Sequence, residues 1–156
     1  MSNRLCVMGL LGGSLFLIGC GGAGIASKTD IEKTIGGTMK KVVPIKGTVL
    51  VDDHAEKGVM VSLYKSADLE NPLKQVATDE KGNYCFNTYT SCDGIEPGEY
   101  KLTFRWSNIT GAFARNKGKG QDKLNDRYSD PQKSEHSLTV AEGTPQSKLD
   151  FSLTTK

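Results

Sequence analysis

Histidine, tryptophan and net charge are all scarce in this chain of 156 residues. It has 2 His and 1 Trp, and 20 Lys and Arg against 18 Asp and Glu give a formal net charge of +2. So little histidine argues against a histidine-built metal centre, and so little net charge argues against nucleic acid held by bulk charge. We therefore expect no metal, no cofactor and no nucleic-acid partner.

The chain also lacks a hydrophobic run long enough to span a bilayer. Residues 7–19 form an apolar run of 13 residues after the single positive charge of Arg4, whereas a spanning helix needs about 20. This length is typical of the core of a signal peptide. The remaining chain, with ordinary hydrophobic content, predicts one folded domain with tails.

The apolar run ends in Leu17-Ile18-Gly19-Cys20, which resembles a bacterial lipobox. The resemblance implies that residues 1–19 are a lipoprotein signal peptide and that Cys20 carries a diacylglycerol and an N-terminal acyl chain such as palmitate. Two or three acyl chains anchor a protein stably. Gly21, not Asp, follows the cysteine, as in lipoproteins sent to the outer membrane. An ordinary secretory signal and a short uncleaved anchor are the alternatives.

Residues 20–41 are dominated by glycine and small polar residues, which predicts a flexible tether. Ile31 and Ile35 are four residues apart and indicate at most a transient helical turn. Both are β-branched, and Gly36 and Gly37 follow, so we expect no stable helix here.

Residues 42–156 alternate between apolar and polar side chains, the period of half-buried strands. Turn signals at residues 52–54, 79–82 and 97–98 separate the strands. We therefore predict an all-β domain, a single seven-stranded antiparallel Greek-key sandwich of transthyretin-like or Ig-like type. The side chains predicted to face inward are Val43, Ile45, Val49, Val51, Val59, Val61, Leu63, Tyr84, Phe86, Tyr100, Leu102, Phe104, Trp106, Leu138, Val140, Leu149, Phe151 and Leu153.

Several of these strand and turn segments resemble the carboxypeptidase regulatory-like family of transthyretin-type sandwiches, in the small lipoprotein form numerous in planctomycete-type bacteria. The segments are VLVDD (49–53), GVMV (58–61), ATDEKGNY (77–84), PGEYKL (97–102), RYSDP (127–131) and LDFSL (149–153). The resemblance spans about residues 42–153 and implies a fold more than an activity. Members of the family are non-catalytic where they accompany enzymes.

Catalytic and metal-binding patterns are weak. His54 and His136 lie on dissimilar loops far apart in the chain, and no Gly-x-Ser-x-Gly occurs. The stretch 79–83 lacks the spacing of an EF-hand calcium loop, so Asp79 is expected to bind its own turn. We predict that the chain is not an enzyme.

Cys85 and Cys92 remain after Cys6 leaves with the signal peptide and Cys20 takes lipid. An exported protein meets an oxidising compartment, so we expect a structural disulfide between them. Six intervening residues do not make a Cys-x-x-Cys redox motif. A redox or metal pair, and two free thiols, are the alternatives.

The longest irregular stretch, residues 107–135, is the candidate contact surface. We predict that this loop, with the loop 88–97, contacts an envelope protein or an anionic polysaccharide, while the N-terminal lipid contacts the membrane. A solvated loop without a partner is the alternative. A carbohydrate-binding module is another, and Tyr64, Tyr89, Phe113 and Tyr128 are its candidate aromatics. The basic residues singled out are Arg115, Lys117, Lys119, Lys123 and Arg127.

Overall fold

The computed structural model describes residues 27–107 and 121–156. Within these ranges there are one helix and eight strands. They are α1 (Lys28–Ile35), β1 (Lys46–Val51), β2 (His54–Ala55), β3 (Val59–Lys65), β4 (Lys74–Ala77), β5 (Asn83–Cys85), β6 (Gly98–Trp106), β7 (Ser137–Val140) and β8 (Phe151–Leu153).

The strands form two four-stranded sheets. In the first, β1 pairs antiparallel with β2 and β5 and parallel with β8. The second has the order β4-β3-β6-β7 with every pair antiparallel. The longest register joins β3 to β6, from Val59 opposite Trp106 to Lys65 opposite Tyr100. An all-β sandwich is thus the architecture, as the alternation predicted.

Two details of the prediction are wrong. The described residues contain eight strands, not seven, and the β1–β8 pair is parallel, so the domain is not wholly antiparallel. The added strand is β2, which has two residues and is too short to show an alternation. It pairs with β1 across a tight turn in which Asp52 and Asp53 have φ of 49° and 67°. Strand direction depends on the path of the connections, which hydrophobic periodicity does not record.

The core lies between the sheets and follows the predicted alternation closely. All the predicted inward side chains are buried except Trp106, Leu149 and Phe151, which are partly buried against the core. Phe104 and Phe151 come from different sheets and pack with ring centroids 4.8 Å apart. Ile95 and Leu124 are also buried, with exposures of 1% and 0%, although both belong to stretches predicted as loops. The connections therefore contribute to the core.

The helix α1 corrects the expectation that residues 20–41 hold no stable helix. Ser27 caps its N-terminus by accepting a hydrogen bond from the Asp30 amide at 3.2 Å. Gly36 ends it in the left-handed conformation, with φ of 67°, and its amide donates to the Glu32 carbonyl. Both caps satisfy backbone groups that a short helix otherwise leaves open. No helix in the described residues is long and apolar enough to cross a membrane.

The strand β6 has nine residues and is about 26 Å long. Its two ends mark two distinct ends of the sandwich. One end, which we call the entry end, holds Val43, the loop 88–97 and Glu142. The chain comes in there from α1, and Val43 pairs with Ile95. The other, the far end, holds residues 52–57, Trp106, residues 122–127 and residues 154–156. Hydrogen bonds from Trp106 Nε1 to the Lys57 carbonyl and from Asn125 Nδ2 to the Thr155 carbonyl join these far-end segments.

Candidate functional site

The predicted site residues divide into those that the structure describes and those that it does not. The signal peptide 1–19, Cys20, Arg115, Lys117, Lys119 and the aromatic candidate Phe113 lie outside the described residues. Lys123, Arg127, Cys85 and Cys92 lie within them. The lipid site and most of the basic stretch therefore remain predictions from sequence.

Lys123 lies at the far end, where the loop 107–135 returns to the sandwich. Its Nζ stands 3.8 Å from the centroid of the Trp106 ring, a cation–π contact. Its amide donates to the Trp106 carbonyl at 2.7 Å. Lys123 thus helps to hold the returning chain against β6.

Asp122 fixes the same return from the inside. The side chain is 3% exposed, and its Oδ1 accepts hydrogen bonds from the amides of Trp106 and Leu124 at 2.8 and 3.1 Å. Among the described residues, the buried Oδ2 has no hydrogen-bond partner. Leu124, beside it, enters the core with no exposure. Residues 106–107 and 122–124 form what we call the neck of the loop. A buried carboxylate that accepts hydrogen bonds from two backbone amides gives this neck a defined geometry. In the sequence, the only signal was an Asp two residues before an isolated leucine. This pattern is too common to predict a buried carboxylate.

The charge of the loop is distributed unevenly. In residues 121–135 the basic side chains are outnumbered by the acidic ones, since Asp122, Asp126, Asp130 and Glu135 alternate with Lys123, Arg127 and Lys133. Arg127 is exposed and follows Asp126 directly. The positive excess of the stretch therefore belongs to Arg115, Lys117 and Lys119.

The loop 88–97 and the start of the loop 107–135 lie at opposite ends of β6. The loop 88–97 leads into Gly98, the first residue of β6, whereas Ser107 follows Trp106, the last. Lys123 is bound to Trp106 at that second end. The Ser107 side of the loop therefore lies about 26 Å from the loop 88–97, whereas its other side returns at Ser134 beside Leu102, midway along β6.

Cys85 and Cys92 form a disulfide, with Cα atoms 5.2 Å apart, as the sequence predicted. Directly after it, Asp93 clasps the loop: its two carboxylate oxygens accept hydrogen bonds from the amides of Thr88, Tyr89 and Thr90 at 2.7 to 2.9 Å. The alternation could not reveal this clasp, because it depends on a loop conformation.

The tether binds to the loop 88–97. The Lys40 amide donates to the Tyr89 hydroxyl at 3.0 Å, and Lys40 Nζ pairs with Glu96 at 3.1 Å. Lys41 pairs with Glu142, which raises the pKa of that lysine. A hollow of about 290 Å³ lies between α1 and the side chains of Thr88 and Tyr89. The chain from α1 to Val43 is thereby bound to the entry end.

A larger open groove, about 610 Å³ in volume, runs beside the disulfide. It is bounded by strands of both sheets, because β4 and β5 meet at its edge. Its lining contains both polar and apolar residues. The lining residues are Lys46, Gly47, Thr48, Val76, Ala77, Asp79, Asn83, Tyr84, Cys85, Cys92 and Ser147.

The two histidines do not meet. His54 is exposed at the start of β2, with Nδ1 2.6 Å from the Asp52 carbonyl oxygen. His136 packs edge-on against Phe104 and Phe151, with centroids 5.2 Å away in both cases. Burial lowers the pKa of His136, opposed by the charge of Glu135. In the described residues no three His, Cys, Asp or Glu side chains are grouped as a metal site would require.

Asp79 binds its own turn, as predicted. Its Oδ1 accepts from the amides of Lys81 and Asn83 at 2.8 and 2.9 Å. These bonds lower its pKa because they favour the charged carboxylate. Gly82 closes the turn with φ of 73°, and a Cβ there would meet the Val49 carbonyl oxygen at 2.6 Å.

The aromatic candidates for sugar binding are dispersed. Tyr64 lies on β3 opposite Lys101, and Tyr89 is engaged by the Lys40 amide. Tyr128 packs against the core, and its hydroxyl accepts from the Thr154 amide at 3.2 Å. These three rings form no common platform of the kind that polysaccharides bind.

No protein-family model matches the chain, and no match to a curated protein is found.

Proposed function

We propose that this chain is a lipid-anchored, non-catalytic protein of the cell envelope that holds its far end out for structural or adhesive binding. Cys20 would carry the lipid, following the lipobox, and would place the domain at the outer membrane by the sorting rule. The contact would be made with an envelope protein or polysaccharide. The resemblance to the carboxypeptidase regulatory-like family supports a binding role over a catalytic one.

The observation that carries the proposal is that the tether and the neck of the basic loop lie at opposite ends of the domain. The tether is bound at the entry end by Tyr89 and Glu96. The chain leaves for residues 108–120 from Ser107, about 26 Å away along β6. A lipid anchor that precedes α1 in the chain would therefore draw the entry end towards the membrane, and the neck of the basic loop would face away from it.

The anchor is tested by metabolic labelling with an alkynyl palmitate analogue in cells that produce the full chain. Label should appear on the wild-type protein and be lost in Cys20→Ser. The matched control is Cys6→Ser, which should keep the label because residue 6 would leave with the signal peptide. Equal labelling of wild type and Cys20→Ser would reject a lipid at this position.

The contact surface is tested by crosslinking on intact cells followed by identification of what is captured. The double variant Lys117→Glu/Lys119→Glu should lose the captured partner. The control Lys65→Glu/Lys74→Glu reverses two charges on β3 and β4, away from the loop, and should retain it. Capture that survives charge reversal in the loop and fails in the control would move the contact to the second sheet.

A further inference from the structure

The Cys85–Cys92 disulfide lies at the protein surface and not in the hydrophobic core. Cys92 is exposed and Cys85 is partly exposed. Both line the open groove of about 610 Å³, a volume larger than that of any amino-acid side chain. An attacking thiolate can therefore reach the Cys92 sulfur without unfolding of the domain.

A lysine lies opposite the leaving cysteine. Lys46 on β1 is directly opposite Cys85 on β5, and both belong to the lining of the groove. Side chains directly opposite on paired strands are close neighbours. A lysine beside a cysteine favours the thiolate, which makes that sulfur a better leaving group. In the described residues Lys46 forms no ion pair that would neutralise it.

The bond also holds a backbone that would otherwise relax. Cys92 has φ of 56°, in the left-handed region that a residue with a Cβ rarely adopts. Asp93 follows it and clasps the amides of Thr88, Tyr89 and Thr90. Opening the bond allows Cys92 to leave this conformation. The hydrogen bonds of Asp93 to the loop then weaken, and so does the bond from the Lys40 amide to the Tyr89 hydroxyl.

We propose that Cys85–Cys92 is a thiol–disulfide exchange site that is reduced by a dithiol protein of the Cys-x-x-Cys class. Reduction loosens the contacts of α1 and Lys40 with the loop 88–97. A donor thiolate attacks Cys92 Sγ, the Cys85–Cys92 bond breaks, and Cys85 leaves as a thiolate beside Lys46. The second donor thiol then displaces Cys92 and closes the donor disulfide. Two electrons pass to this chain, and each released thiolate takes up one proton.

The exchange reaction is tested on the native full chain with dithiothreitol at pH 7, by alkylation and mass measurement. We expect reduction without denaturant, slowed about three- to tenfold in Lys46→Gln. Lys46→Arg should keep the wild-type rate because it keeps the charge, and Lys65→Gln is the matched control outside the groove. Reduction only in denaturant, or equal rates for Lys46→Gln and wild type, would overturn the proposal.

The coupling to α1 is tested by amide hydrogen exchange before and after reduction. Exchange at residues 28–40 should rise about tenfold or more on reduction, while the amides of β6, although they exchange faster because the whole domain is less stable, stay far better protected than residues 28–40. Tyr89→Phe removes the hydroxyl that accepts from the Lys40 amide, so it should raise exchange at Lys40 in the oxidised protein. Unchanged exchange at residues 28–40 after complete reduction would refute the coupling. Equal protection of residues 28–40 and of β6 after reduction would also refute it, because the two segments would then open only together in global unfolding.

Discussion

Removing the Cys85–Cys92 disulfide should destabilise the domain by an amount that follows from the size of the loop that the bond closes. The two cysteines are seven positions apart, so the loop contains about eight residues counting both ends. In the chain-entropy account, closing such a loop in the unfolded chain is worth about 2.5 kcal/mol at 25 °C. The double variant Cys85→Ala/Cys92→Ala loses this restriction.

The measurement is guanidinium unfolding of the two proteins side by side. With a slope of about 3 kcal/mol/M for a domain of this size, the midpoint should fall by about 0.8 M, and the melting temperature by about 10 °C. Reductant should lower the wild-type midpoint to that of the variant and leave the variant unchanged. A midpoint shift corresponding to less than about 1 kcal/mol would show that the loop is already ordered in the unfolded chain, and the entropy reasoning would fail.

Three further predictions concern the core, one glycine and two titrating groups. Phe104→Ala removes a side chain with no exposure and should cost about 3–5 kcal/mol in urea unfolding; the exchange Tyr64→Ala, at a partly exposed site, should cost clearly less. Gly94→Ala should be far more destabilising than Gly143→Ala. Both have positive φ, but the added Cβ at Gly94 lies 1.8 Å from the Val43 carbonyl oxygen, whereas nothing lies within 4 Å at Gly143; equal losses would contradict the close approach. By NMR titration, the pKa of His136 should lie below 6.5 because of burial, and that of Asp52 below 3.8 because Thr154 and Thr155 donate hydrogen bonds to it. Both groups then stabilise the fold fully above their unfolded pKa values, and the contribution is lost as the pH falls through the folded ones; a His136 pKa at or above 6.5 would contradict the burial argument.

The candidate site was only partly predictable from sequence. The pairing of Cys85 with Cys92 followed from their number and spacing, and the self-binding turn at Asp79 from its residue types. The clasp of Asp93, the buried Asp122 and the position of Lys46 beside the disulfide were not foreseen. Each arises from a loop conformation or a cross-strand register that brings residues together without a repeating signal in the chain.

The helix α1 shows a second limit. Propensity argued against it, because Ile31 and Ile35 are β-branched and glycines follow. The capping at Ser27 and Gly36 and the i,i+4 pair of Lys28 with Glu32 at 3.7 Å supply local support. The surface offered by Thr88 and Tyr89 adds a neighbour that no local pattern records.

By itself the sequence determined which side chains face inward, because a strand places alternate residues on opposite faces whatever its partners are. Val59, Val61 and Leu63 could be assigned to the core for this reason alone, and so could Tyr100, Leu102 and Phe104. Only the tertiary structure decided which strands pair, that β8 runs parallel to β1, and that the tether and the neck of the basic loop lie at opposite ends of β6. Those choices depend on contacts between residues far apart in the chain, whose free energies come from the assembled sheets and not from any local run of residues.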